Sequence, residues 1–221
     1  MLGINWNLVE DQLSFDVTFV IRLMHELEPT KRSIVSLATR IYDPFGIISP
    51  VTVQFKILAQ KLCEAKLRWD EGISGELLQR WETLKSSMLE MKPITMARCY
   101  FQCMDRHSTN CNLIGFCDVS LQAYAAVVYL MIRRESLCQI CLVASKTRVA
   151  PLQGQTIPRL ELISALLLAK LLSKVSLALR TELFLGPPHC YTDSKIALYW
   201  IKGEHREWKQ FVQNRAVSIR S

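Results

Sequence analysis

The second half of this sequence is short of acid. Residues 106–221 hold 15 Lys and Arg against 7 Asp and Glu, a balance of +8. Residues 1–105 hold 12 against 13, so the whole net charge of +7 arises downstream. A basic half beside a neutral one points to a polyanionic partner, most simply nucleic acid. Charge alone equally permits a surface that serves only solubility. A secretory leader is not expected either, because Met1–Glu10 has neither a basic start nor an apolar core. The most apolar stretch, Leu160–Leu179, is interrupted by Glu161, Lys170 and Lys174. It reads as a buried amphipathic helix and not as a membrane span. No internal repeat is evident. The eight cysteines form no secreted framework, so an intracellular, reducing setting (cytoplasmic or nuclear) is expected. Zinc lacks a second ligand pair. Cys99 and Cys103, and Cys138 and Cys141, fall in stretches read as strands, Ala97–Cys103 and Gln139–Ser145. There, positions i and i+3 point to opposite faces, and no His stands at zinc spacing. These residues read as packed free thiols.

What is present is a core. Half of the 221 residues are hydrophobic, which excludes global disorder and allows one large domain or two small ones. Alternation in Leu2–Asn7 and Gln12–Val17 predicts a β-hairpin. Thr30 predicts the cap of a helix reaching about Tyr42, with Ile34, Leu37, Ala38 and Ile41 on one face. Pro44, Gly46 and Pro50 mark a break. Helices are expected over Val51–Leu67 and Glu76–Met91. From Leu113 the period becomes two. Leu113–Cys117, Ala123–Leu130 and Gln139–Ser145 read as successive strands. Pro158 opens a helix over Arg159–Leu179. A short strand, His189–Thr192, follows, then Ser194 capping a helix over Lys195–Lys202, and a last helix over Glu207–Ile219. The order βββ–α–β–α–α predicts a mixed α/β sheet flanked by helices, preceded by a mainly helical region with an N-terminal hairpin.

Three of the seven acids in the basic half lie in apolar settings. They are Asp118 in Gly115-Phe116-Cys117-Asp118, Glu161 in Pro158-Arg159-Leu160-Glu161-Leu162, and Asp193 in Cys190-Tyr191-Thr192-Asp193. A carboxylate at the end of an apolar strand is costly unless paired, hydrogen-bonded or metal-bound. Asp118 ends the first of these strands, Asp193 follows the fourth, and Glu161 is expected in the first turn of the long helix, where the dipole favours its ionised form. If the first and fourth strands are neighbours, the three converge. All-oxygen ligands favour magnesium or manganese, and two such ions suit phosphodiester cleavage. From spacing alone, turn aspartates and an ordinary helix charge remain the competing reading.

The segment Lys31-Arg32-Ser33-Ile34-Val35-Ser36-Leu37-Ala38-Thr39-Arg40-Ile41-Tyr42-Asp43-Pro44-Phe45-Gly46-Ile47-Ile48-Ser49-Pro50-Val51-Thr52 closely resembles the region after the reverse transcriptase in BEL/Pao-type LTR retrotransposon Pol polyproteins, as does Leu67-Arg68-Trp69-Asp70-Glu71. Gly115–Ser120 with Ala123–Tyr129 resembles the first hairpin of that family's RNase H-like domain. Ala144–Leu152, Thr156–Leu162 and Tyr191–Ser194 continue the likeness in order. The resemblance implies an end of a reverse transcriptase palm over 1–27, a helical thumb and connection region over 28–105, and an RNase H-like domain over 106–221 that is incomplete at its C-terminal side. It implies Asp118, Glu161 and Asp193 as the first three members of an acidic quartet holding two Mg2+ or Mn2+ ions, and hydrolysis of RNA in an RNA–DNA hybrid. The family's fourth acid, in an Asn-Pro-Ala-Asp-type segment, has no counterpart here, and neither do the paired polymerase aspartates. Polymerisation is not expected, and nuclease activity is expected to be impaired. The alternative is a non-catalytic remnant or domesticated fragment that binds nucleic acid or a protein partner. The implied partners are an RNA–DNA hybrid or other nucleic acid and the rest of a Pol polyprotein, with no membrane. An aspartic peptidase is unsupported, since Asp118-Val119-Ser120 and Asp193-Ser194-Lys195 lack the Asp-Thr/Ser-Gly pattern.

Lys146, Arg148 and Arg159 are candidates for holding backbone phosphates beside these acids, and Lys195, Lys202, Arg206 and Lys209 for extending the track. A solvated helix face explains each equally well. Tyr199, Trp200 and Trp208 read as packing residues. Nothing in the sequence places His189 or His205 at the acids.

Overall fold

In the computed structural model, residues 4–101, 110–135, 137–203 and 206–221 are described. The chain divides into two units, Met1–Pro44 with Ile48–Gln102, and Phe45–Ile47 with Cys103–Ser221.

The first unit begins with the expected hairpin, β1 (Ile4–Asn7) and β2 (Gln12–Phe15), followed by α1 (Thr18–Glu26), α2 (Lys31–Arg40), α3 (Ser49–Glu64), α4 (Gly75–Leu89) and β3 (Ile94–Ala97). β2 lies between β1 and β3, antiparallel to both. Thr30 caps α2 as expected. Its hydroxyl accepts the Ser33 N–H, and the Ser33 hydroxyl accepts the Thr30 N–H in return. The helices meet around Met24, Ile34, Leu37, Phe55, Leu62 and Trp81, all buried. Phe55 and Trp81 pack edge to face, with ring centroids 6.5 Å apart. Each such side chain contributes on the order of 1.5–3 kcal/mol when fully buried.

Two elements differ from expectation. No helix is predicted between the hairpin and Thr30, because Val17-Thr18-Phe19-Val20-Ile21 favours extended structure. The chain is helical there because Val20 and Met24, four apart, enter the core together. The strand expected over Ala97–Cys103 lies instead at Ile94–Ala97. Its length is set by its partner, since Gln12–Phe15 offers four residues and the pairing runs from Gln12–Ala97 to Phe15–Ile94. The next residue, Arg98, turns to Asp11 in a two-pronged ion pair, with Nε 2.5 Å and Nη2 3.0 Å from the two carboxylate oxygens. Cys103 lies outside the described residues.

The second unit contains β4 (Asn110–Val119), β5 (Ala123–Arg134), β6 (Leu137–Val149), α5 (Ile157–Leu179), β7 (His189–Tyr191), α6 (Lys195–Lys202) and α7 (Gln210–Arg220). The sheet order is β6-β5-β4-β7. The first three strands form an antiparallel meander, and β7 joins β4 in parallel. This is the mixed sheet with flanking helices that the element order predicts. On β4 and β5 every second residue is buried, including Leu113 and Cys117 on one and Val128, Leu130 and Ile132 on the other. α5 covers that face with Leu160, Leu168 and Leu172. It is long and apolar enough to cross a membrane by composition, but here it packs on the sheet. Gly115 lets α5 sit close to β4, since a Cβ there would stand 2.6 Å from a Leu168 methyl and push that side chain aside. Arg220 of α7 donates to the carbonyls of Trp200 and Ile201, which closes the C-terminal end of α6.

Candidate functional site

Parallel pairing of β4 and β7 aligns Ile114 with His189, Gly115 with Cys190 and Phe116 with Tyr191. Two residues beyond the last pair, each strand delivers an aspartate, Asp118 and Asp193, and both are exposed. The strand ending in Asp118 and the strand preceding Asp193 are therefore neighbours, as convergence of the acids requires. Strand alternation puts Asp118 on the face of Phe116, opposite the Leu113–Gly115–Cys117 row beneath α5. The Phe116 ring stacks on Tyr191, with centroids 5.2 Å apart and planes at 20°. Asp118 Oδ1 accepts the Val119 N–H at 2.7 Å.

Glu161 comes from the helix layer. α5 starts at Ile157, two residues earlier than expected, so Glu161 is beyond the first turn and the dipole helps it little. A hydroxyl holds it instead. Ser194 Oγ donates to Glu161 Oε2 while accepting the Ala197 N–H at 3.0 Å, so one atom both caps α6 and restrains the acid beside the segment carrying Asp193. Three residues along α5, the fully buried Ser164 places its Oγ 3.1 Å from the Asp118 carbonyl and 2.7 Å from that of Ala125, the residue paired with Asp118. Glu161 and Ser164 thus tie one helix face to both strand ends that carry an aspartate. The three carboxylates share this edge, but among the described residues no group of three or more His, Cys, Asp or Glu side chains stands close enough to hold a metal ion.

Sequence reasoning named Ser194 only as a cap and passed over Ser164. The signal for Ser164 was available. It lies on the Leu160–Leu168 stripe of an apolar helix, and a hydroxyl buried there requires an acceptor.

The basic residues divide. Lys146 pairs with Ala126 and Arg148 with Tyr124, both buried on the α5 side of the sheet. Lys146 and Arg148 therefore emerge on the side opposite Asp118. The guanidinium of Arg159 lies 4.8 Å from the Phe211 ring centroid, and that of Arg215 lies 3.6 Å from it. Lys195 opens α6 next to Ser194 and is exposed. Arg206 covers Tyr199, which packs edge to face on Trp208. His189 starts β7 and is exposed, and His205 lies outside the described residues. Burial pushes the Cys117 thiol up to about 11, so it stays protonated and unreactive at neutral pH.

Comparison with known proteins places this arrangement. Residues 30–194 match the Pao retrotransposon-like RNaseH-like domain, a span that contains Asp118, Glu161 and Asp193. No curated protein matches the chain. Among solved structures, a foamy viral protease-reverse transcriptase dRH in complex with double-stranded DNA superimposes with a TM-score of 0.50 at 13% identity, over 99% of this chain and 35% of that one. A second foamy viral protease-reverse transcriptase in complex with double-stranded DNA gives 0.47 at 13% identity, over 99% of this chain and 41% of that one. The chain thus spans well under half the length of either. The fold is shared with a retroviral reverse transcriptase, and by the match over most of its length the chain belongs to the Pao retrotransposon-like RNaseH-like domain family.

Proposed function

We propose that the second unit is the nuclease segment of a retrotransposon Pol protein and hydrolyses the RNA strand of RNA–DNA hybrids. The observation that carries this reading is the parallel β4–β7 pair. It sets Asp118 and Asp193 at the same edge, with Glu161 hydrogen-bonded to Ser194 beside them. RNase H-like enzymes typically use divalent metals, and the donor set here suits one. It offers three carboxylates, hard oxygen ligands that favour Mg2+ or Mn2+. Bound there, such ions would supply an activated water and stabilise the leaving oxygen. Asp118, Glu161 and Asp193 would be the ligands. Ser194 orients the carboxylate of Glu161 and leaves its second oxygen free for a ligand role. Ser164 fixes the backbone of Asp118. Lys195 and Arg159, at the starts of α6 and α5, would meet backbone phosphates, and Lys146 and Arg148 add positive charge on the α5 side of the sheet.

A second reading is a nucleic-acid-binding remnant without turnover. It is favoured by the absence of a gathered three-ligand group among the described residues.

Cleavage of a labelled hybrid in Mg2+ or Mn2+ separates the two readings. Cleavage by the chain, reduced at least about a hundredfold by Asp118→Asn, is expected. Cleavage that survives Asp118→Asn unchanged rejects the assignment, and binding without any turnover supports the second reading.

A further inference from the structure

On the side of the sheet away from Asp118, α5, β6 and α7 enclose a groove of about 510 Å³ that no part of the proposed chemistry uses. Its walls carry Lys146 and Arg148 from β6 and Lys170 and Lys174 from α5. All four are exposed. No carboxylate among the described residues pairs with any of them, whereas Arg22, Arg32, Arg80 and Arg98 each have an acidic partner. Acid is nearly missing from the enclosing elements as well, since β6 and α7 contain no Asp or Glu and α5 contains only Glu161.

The spacing is regular on both walls. Lys146 and Arg148 are two apart on one strand face, about 6.7 Å along the strand. Lys170 and Lys174 are four apart on one helix face, about 6 Å along the axis. The floor between them is uncharged, with Leu167 and Leu171 from α5. Four like charges lining one groove that has no acidic side chain in its walls repel one another, and this cost is relieved when a polyanion displaces the condensed small ions. Two pairs of cations, each pair about 6–7 Å apart along its element, suit a sugar-phosphate backbone with its repeated charges better than an isolated anion.

We propose that this groove binds the sugar-phosphate backbone of a single nucleic-acid strand, with Lys170 and Lys174 acting together with Lys146 and Arg148. The inference rests on the nucleic-acid reading above and adds to it a second site, on the face of the sheet opposite Asp118. The binding is electrostatic and indifferent to sequence.

The test is the salt dependence of affinity, measured by fluorescence anisotropy with the full chain and a short labelled single-stranded oligonucleotide, without divalent metal. Lys170→Ala/Lys174→Ala and Lys146→Ala/Arg148→Ala should each weaken binding roughly tenfold and lower the log–log salt slope by about 1.4. Arg133→Ala/Arg134→Ala removes equal charge from the far end of β5 and should leave the slope near that of the wild type. All six positions are exposed, and circular dichroism checks that each variant keeps its fold. Three outcomes overturn the proposal: wild-type slopes in both groove variants, an equal loss in the β5 control, or equal binding of polyglutamate with the same dependence on Lys170 and Lys174. Because no cleavage is measured, failure here leaves the Asp118→Asn experiment standing, and failure of that experiment leaves the slopes standing.

Discussion

The two units use arginine and lysine in different ways. In the first, where acid and base are nearly balanced, arginines meet carboxylates, as in Arg32 with Asp70, Arg80 with Glu76 and Arg98 with Asp11. In the second, arginines meet rings and carbonyls. Arg159 and Arg215 lie against Phe211, Arg206 against Tyr199, and Arg220 binds the end of α6. A carboxylate partner cancels a cation's field, but an aromatic face or a carbonyl leaves most of it in place. The second unit can therefore use arginines to hold its helices and still present a positive surface. Its lysines, which have no carboxylate partner among the described residues, add to that field. Charge balance in one unit serves structure, and imbalance in the other suits a polyanion.

Three measurements sharpen this contrast. The largest expected effect is apolar. Leu162→Ala, at a fully buried position of α5, should cost about 2–5 kcal/mol in denaturant unfolding of the second unit, because a cavity opens beneath the helix. A loss below 1 kcal/mol would mean that packing of α5 is not what holds this unit. Next, Arg220→Ala should cost about 1 kcal/mol through the lost bonds to Trp200 and Ile201, and the loss should change little between low and high salt. A strongly salt-dependent loss would show that Arg220 acts through an acid, as the cations of the first unit do. The smallest effect concerns pH. The Arg98 guanidinium holds the Asp11 carboxyl below its ordinary value of 3.8. A carboxyl lowered on folding contributes stability that is fully present above its unfolded pKa and is lost as pH falls through the lower folded one. Asp11→Asn should therefore cost the first unit a small amount of stability at neutral pH and none once the pH is below the folded pKa, which flattens its acid profile. An unchanged acid profile would show that the pair contributes nothing in solution, as many exposed pairs do.

Much of this molecule is legible in its sequence, for identifiable reasons. Thr30 and Ser194 announce their helices because a cap requires a particular side chain at one position. The β4–β5–β6 meander is legible because its partners are adjacent and the burial period is two. β3 was displaced because its partner, β2, lies about eighty residues away and nothing local records that pairing. α1 was hidden by β-branched residues whose extended preference is overruled when Val20 and Met24 reach the core. At the site, the spacing of Asp118, Glu161 and Asp193 suggested a convergence that the chain only partly delivers. They share one edge of the sheet, but alternation sends Asp118 to one face while Glu161 arrives from the helix on the other. Face and depth depend on where each element starts, and element ends are what local patterns fix least well.

The hydroxyl of Ser194 also restricts how this protein can vary. It accepts from the backbone and donates to Glu161 through a single oxygen. Of the common helix-capping residues, aspartate at neutral pH only accepts and would repel the glutamate, and asparagine must divide the two tasks between different atoms. Serine and threonine alone combine both on one atom. A drift to alanine would fray α6 and release Glu161 in the same event, so no later repair of the cap by itself could restore the acid's position. At residue 194, a change to alanine loses the helix cap and the restraint on Glu161 together, whereas a change to aspartate keeps the cap and loses only the restraint.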